Sequence, residues 1–172
     1  LKNPKCKLII SHEAGDEGYE YLHMLEQLAK EENVDMRIVA DRVGEVRGRD
    51  KDNRKIYTLW DLYHHADFVT YPSTYEGFGN ALLEAVYFRK PVLINRYSIF
   101  IRDIEPLGFD FLTMDGFVTP SQTEEVNEIL TNSKKRKKMV DHNYQVAKKF
   151  YSYSVVRGIL KTAIASLTGY TS

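Results

Sequence analysis

The 172 residues include a single cysteine, Cys6, so no disulfide framework can be built within one chain. That scarcity fits a reducing compartment, and the expected location is the cytoplasm. Cys6 falls in a short apolar stretch and reads as a small buried hydrophobe. Long hydrophobic runs are missing too: none approaches the ~18 residues needed to cross a bilayer, and no signal peptide is expected. Charge of one sign is not in excess, with 24 basic against 24 acidic residues, so nothing global argues for a nucleic-acid partner. There is no internal repeat and no low-complexity segment. An initiating methionine is absent as well, so a piece of a longer protein is the expectation. A hydrophobic content of 43% over this length suits one soluble domain of ordinary size.

Apolar runs alternate with helical patterns along the chain. Lys7-Leu8-Ile9-Ile10 reads as a strand, and Tyr19–Glu32 as a helix with Leu22, Leu25, Leu28 and Ala29 at helical spacing. Met36–Ala40 is a second strand. Asp41–Arg54 is polar, carries two glycines and has no period, so it is expected to be a loop, and one long enough to be functional or mobile. Ile56–His65 reads as a helix, Asp67–Tyr71 as a third strand and Asn80–Phe88 as a helix. Pro91–Asn95 and Phe109–Thr113 are a fourth and a weaker fifth strand. Thr123–Leu130, Ser133–Tyr151 and Ser154–Leu167 read as helices. The last of these carries an apolar stripe at Val155, Ile159, Ala163 and Leu167. Strands alternating with helices predict an α/β fold with a Rossmann-like open parallel sheet flanked by helices and a helical C-terminus. The expected organisation is a single domain over 1–172. In such sheets ligands sit beyond the carboxyl ends of the strands. Four loops then converge on one rim: His12-Glu13, Arg42-Val43, Glu76–Gly79 and Arg96-Tyr97.

The most telling stretch is Tyr71-Pro-Ser-Thr-Tyr-Glu76-Gly77-Phe78-Gly79-Asn80-Ala81-Leu82-Leu83-Glu84-Ala85. A strand enters a turn holding a carboxylate and two glycines, and a helix opens with a second carboxylate in its second turn. Glycines at such a turn let a ligand approach the backbone. The helix N-terminus presents N–H groups and partial positive charge that suit a phosphate. Two acceptors flanking that cradle suit sugar hydroxyls. A nucleotide-sugar or similar phosphorylated ligand follows from this local chemistry.

The same residues resemble the paired-glutamate signature of retaining glycosyltransferases of family 4 (group 1), with seven residues between Glu76 and Glu84 around Gly-Phe-Gly. The resemblance extends through the order of strands and helices over most of the chain. It implies the donor-binding, C-terminal half of a two-domain GT-B enzyme that moves a sugar from a nucleotide diphosphate to an acceptor, with no cofactor beyond the donor and no bound metal. By resemblance, Glu76 is the catalytic-site residue that holds donor-sugar hydroxyls. The backbone of Gly77, Phe78, Gly79, Asn80 and Ala81 meets the sugar and distal phosphate, and Glu84 accepts from the ribose. Glu84 lies two helical turns along, about 12 Å at 1.5 Å per residue, from the phosphate end toward the nucleoside. In the family an arginine and a lysine on the first strand–helix unit hold the pyrophosphate. Residues 1–10 resemble the segment after that unit, so the unit and the acceptor-binding N-terminal domain are expected to lie outside this chain. The gap would be covered by another chain, a swapped segment or a rearranged sheet, or the sheet would be split.

Further donor-site candidates are His12, ending a strand on the rim, Arg42 or Val43, placed to meet the base through backbone groups, and Arg96. For Arg42 and Val43 the alternative is a plain loop, and for Arg96 a surface ion pair. His64 and His65 are adjacent on a helix and point apart, which makes a poor metal pair. His23 and His142 carry no partner pattern. Lys134-Lys-Arg-Lys-Lys138 reads as a solvated helix face, with peripheral contact to an acidic membrane as the alternative. Other enzymes on the same fold, such as a nucleotide-sugar epimerase or a glycosyl phosphorylase, and a non-catalytic nucleotide-binding module stay open at this point.

Overall fold

The computed structural model describes residues 6–12 and 19–169. The chain divides into two compact units, 1–66 and 67–172.

The first unit pairs β1 (Lys7–Ile10) with β2 (Asp35–Ile38) in parallel, with Lys7 opposite Asp35 and Ile10 opposite Ile38. The amphipathic helix α1 (Tyr19–Glu31) joins them, with no fully buried residue. Leu8, Ile9, Met24, Leu28, Val34 and Ile38 are all exposed. Parallel sheets are normally covered on both faces, so this two-stranded pair is an unusually open one.

The expected loop at 41–54 is more ordered than its sequence suggests. A 3-10 turn at Ala40–Arg42 leads to an antiparallel hairpin of β3 (Gly48–Arg49) and β4 (Lys55–Ile56). Its tip is tied by the Asp50 carboxylate, which accepts from the N–H groups of Asp52 and Arg54 at 2.9 Å each. Asn53 takes the left-handed conformation there, a position asparagine tolerates. The next helix, α2, spans Leu59–His65 and so starts later than the expected Ile56. Lys55 and Ile56 are drawn into the hairpin ladder. Asp61 then reaches back to the Thr58 N–H at 2.9 Å and sets the helix start.

The second unit carries β5 (Val69–Tyr71), α3 (Asn80–Tyr87), β6 (Val92–Asn95), β7 (Leu112–Met114), α4 (Pro120–Thr131), α5 (Ser133–Tyr151) and α6 (Tyr153–Thr168). Its sheet is parallel in the order β5-β6-β7, with Tyr71 opposite Ile94 and Asn95 opposite Met114. The central β6 is buried along its whole length, as an apolar run in the middle of a parallel sheet must be. Leu93, Leu112 and Met114 pack with Val126 and Ile129 of α4 and Met139 of α5. Leu82, Ala85 and Val86 bury the inner face of α3. A π turn at Phe100–Ile104 and a 3-10 turn at Glu105–Leu107 bridge β6 to β7. The fifth strand therefore sits later than the expected Phe109–Thr113. Ahead of it, the buried Asn143 of α5 brackets the backbone of Asp110, accepting from its N–H at 2.7 Å and donating to its carbonyl at 2.8 Å.

The fold is α/β with parallel strands and flanking helices, as expected, but the parallel strands form two sheets rather than one. Among the described strands, β1 pairs only with β2 and β5 only with β6. A split sheet was one expected consequence of an absent central strand.

Candidate functional site

Within the second unit, β5 runs into a bend over residues 72–79, and α3 opens at its end. The bend is clamped from behind. Buried Asn95, the last residue of β6, donates to the Ser73 carbonyl at 3.1 Å and accepts from the Gly116 N–H at 2.8 Å. Two residues on, the Tyr97 hydroxyl donates to the Phe78 carbonyl at 2.9 Å. The Tyr97 ring is 2% exposed and lies against Tyr71 and Phe100, with centroids 6.4 and 6.0 Å away. Phe78 points into an aromatic cluster: it meets Tyr151 edge-on at 5.3 Å, and Tyr151 stacks on Phe109.

The two glycines of the bend have different reasons to be glycine. Gly79 occupies the left-handed region, with φ +92°. A Cβ there would stand 2.9 Å from the Tyr97 hydroxyl and 3.0 Å from that of Tyr71. The side expected to admit a ligand is, at Gly79, filled by the protein's own hydroxyls. Gly77 is the opposite case: a Cβ there would meet nothing within 4 Å. Space beside the backbone therefore exists at Gly77.

Gly79 is the N-cap of α3 and offers no side chain to cap it. Gly79 itself thus lacks the side-chain oxygen with which an N-cap residue commonly closes a helix start. Asn80 is exposed there, Ala81 half-buried. Glu76 and Glu84 are each half-buried at the two ends of the bend-and-helix segment. The Tyr97 hydroxyl is pushed up to about 12, first by burial, then by the negative charges of Glu76 and Tyr151. Tyr97 accordingly stays a neutral donor to Phe78 across the whole ordinary pH range.

Of the remaining candidates, Arg96 follows the same strand as Tyr97, but carboxylates hold its guanidinium. It donates to both Glu105 oxygens at 2.8 and 2.9 Å and reaches Asp115 at 3.4 Å. Hydrogen bonding and attraction from Glu105 raise its pKa above the ordinary arginine value. The ion-pair reading of Arg96 is therefore the one the geometry carries. His12 and Arg42-Val43 belong to the first unit. His12 is exposed in the bend after β1. Arg42 donates twice to the Lys55 carbonyl, at 2.9 and 2.8 Å, and the Val43 N–H donates to Ala40 at 3.1 Å. The segment is thus built into the base of the hairpin rather than left as a plain loop. The basic run on α5 is a salt-bridged face: Lys135 pairs with Glu128 at 2.6 Å, and Lys137 with Asp141. Residues 13–18 of the first turn, Glu13 included, lie outside the described residues.

Asn95 and Tyr71 were not among the sequence candidates, and Tyr97 was noted only for its place on the rim. One signal was available: an asparagine closing the apolar strand Val92-Leu-Ile-Asn95 is a buried polar group that must find partners.

Residues 53–146, which contain the whole bend and both glutamates, match the family model described as Glycosyl transferases group 1. The chain belongs to this family. Two curated relatives are named mannosylglucosylglycerate synthase. The one from Thermotoga maritima is 30% identical over 161 residues, covering 86% of this chain and 36% of the relative. The one from Petrotoga mobilis is 37% identical over 98 residues, covering 57% of this chain and 22% of the relative. This group 1 chain thus spans about a third or less of the length of these relatives. Among solved structures it is similar to the C-terminal domain of a glycosyl transferase group 1 family protein (LpcC) from Francisella tularensis. That match has a TM-score of 0.65 at 19% identity, covering 88% of this chain and 73% of that one. It is also similar to WaaG, a glycosyltransferase involved in lipopolysaccharide biosynthesis, with a TM-score of 0.57 at 19% identity over 95% of this chain and 38% of that one. At such identities the likeness concerns the fold, that of a GT-B C-terminal domain. No described helix of this family member is long and apolar enough to cross a membrane.

Proposed function

We propose that this group 1 chain is the donor-binding domain of a retaining glycosyltransferase, which moves a sugar from a nucleotide-diphosphate sugar to an acceptor held by another part of the whole protein. The observation that carries this reading is the bend after β5. It is braced from behind by Asn95, Tyr97 and Tyr71, open beside Gly77, followed by the start of α3, and flanked by two half-buried glutamates. Retaining transfer expels a diphosphate as negative charge builds on it. What the protein must provide is positioning and charge stabilisation rather than a powerful nucleophile. In this reading the N–H groups of Gly77–Ala81 and the positive end of α3 meet the sugar and distal phosphate. Glu76 accepts from the sugar hydroxyls and Glu84 from the ribose. The cations that complete the pyrophosphate site, and the acceptor, belong to the remainder of the protein.

The curated relatives narrow this for the whole protein. They are named for a product that joins a mannosyl group to glucosylglycerate, and a mannosyl transfer of that kind is the first to assay. The test uses the full-length protein. Its heat stability is measured against a panel of sugar nucleotides, since only a ligand that binds the folded state raises the midpoint. A gain with one donor over the others is expected. Glu76→Ala should abolish transfer with the nucleotide-induced gain largely kept, whereas Glu84→Ala should weaken nucleotide binding at least ~10-fold. Full activity of both variants would remove the assignment.

A further inference from the structure

The first unit holds a cleft of about 310 Å³ on the β3–β4 hairpin, outside the bend that carries the proposed donor chemistry. Arg47, Arg49, Lys55 and Asp61 line it, together with Ile56 and Tyr57. The acid is already satisfied. Asp61 accepts from Arg47 through both Nε and Nη2, and from the N–H and hydroxyl of Thr58. Its carboxyl is held well below the usual carboxylate range, by the Arg47 hydrogen bond first and the Thr58 N–H next. The Arg47–Asp61 pair thus forms a neutral wall, and the cleft's remaining charge is that of Arg49 and Lys55.

Those two cations stand directly opposite one another in the hairpin ladder. Like charges at opposed ladder positions destabilise an antiparallel pair. The ladder has only two residue pairs, and the hairpin is held besides by the Asp50 bonds at its tip and by Arg42 on the Lys55 carbonyl, none of which neutralises the facing charges. Arg49 is anchored through Nη1 to the Asn53 carbonyl at 2.7 Å, which fixes its guanidinium and leaves most of its donors for another partner. The chain as a whole is charge-neutral, so the pairing is a local concentration of charge rather than a general basic character.

We propose that the hairpin cleft binds an oxyanion, a phosphate or carboxylate group of a small molecule, between Arg49 and Lys55. The anion relieves the repulsion across the ladder and accepts from the guanidinium and ammonium together. The Tyr57 ring and Ile56 give the rest of the ligand an apolar surface.

The 15N-labelled chain is titrated with inorganic phosphate and, in a parallel arm, with acetate, at constant ionic strength. Saturable amide shifts are expected at Arg49, Lys55, Ile56 and Tyr57. Tighter binding in one arm assigns the phosphate or the carboxylate as the recognised group. Arg49→Gln and Lys55→Gln should each weaken binding at least ~10-fold. Lys51→Gln, at the hairpin tip and outside the cleft, should leave it unchanged. Without anion, Lys55→Gln should not lower the melting midpoint, because it removes a repulsion, whereas Arg49→Gln also gives up the bond to the Asn53 carbonyl. Shifts that never saturate, or an equal loss in Lys51→Gln, would mean general charge screening and overturn the inference. Saturable shifts confined to residues 76–81 would overturn it too, while leaving the donor-site reading intact.

Discussion

Replacing Gly79 with alanine should be far more damaging than the same change at Gly77, although both glycines belong to one short motif. At Gly79 two penalties combine. An L-residue in the left-handed region costs about 1–2 kcal/mol. The new methyl also falls 2.9 Å from the Tyr97 hydroxyl and 3.0 Å from that of Tyr71, inside a packed interior where overfilling costs about 1–3 kcal/mol. Their sum is about 2–5 kcal/mol, a large share of a domain's net stability. At Gly77 the methyl meets only open space, and a surface change of that kind stays within about 0.5 kcal/mol. Urea unfolding followed by circular dichroism reads the difference directly. With a slope of ~1.5 kcal/mol per molar, Gly79→Ala should lower the midpoint by about 1–3 M and Gly77→Ala should barely move it. A second variant separates the two penalties. In a Tyr97→Phe background the nearest crowding oxygen is gone, so Gly79→Ala should cost about 1 kcal/mol less than in the parent, a coupling that a double-mutant cycle measures. Equal effects of Gly77→Ala and Gly79→Ala would refute the structural role assigned to Gly79. Absence of coupling to Tyr97→Phe would refute the crowding and leave only the backbone strain. Nucleotide affinity should show the reverse order among folded variants, with Gly77→Ala losing binding while keeping stability.

Asn95→Ala should cost about 1–3 kcal/mol and loosen the bend, because it removes the two hydrogen bonds by which a buried side chain ties the half-buried Ser73 carbonyl and the exposed Gly116 N–H together; denaturant unfolding checks the first effect and amide exchange at 72–79 the second. Tyr97 makes stability pH-dependent in a narrow alkaline window. Its folded pKa is raised from 10.0 to about 12, so its contribution is fully present below pH 10 and fades as pH climbs toward 12. The parent should therefore lose up to about 2 kcal/mol more than Tyr97→Phe between those limits, and parallel curves for the two proteins would contradict it. Leu82→Ala, which empties a side chain 1% exposed on the inner face of α3, should cost about 2–5 kcal/mol without altering the site's polar groups.

Local pattern was enough wherever a segment's fate depended on its own residues. The apolar run Lys7–Ile10 and the long helix Ser133–Tyr151 have the bounds their sequences imply. The bend carries its own signature too: a strand, a carboxylate, Gly-Phe-Gly and a helix start, all within fifteen residues. Where pairing partners compete, pattern was silent. A two-residue ladder such as β3–β4 has no period to detect. Helix α2 starts at Leu59 rather than Ile56 because the hairpin takes up Lys55 and Ile56. Arg96 reads equally well as a phosphate ligand or an ion pair until Glu105 is brought beside it.

Strand order, helix order and the place of the bend were thus written into periodicity and turn chemistry, because those act between neighbours along the chain. The division of the parallel strands into two sheets, the tyrosine hydroxyls pressed on Gly79 and the facing cations of the hairpin were not. Each arises from groups that meet only through packing and pairing, and side-chain types in sequence do not specify which groups will share a space.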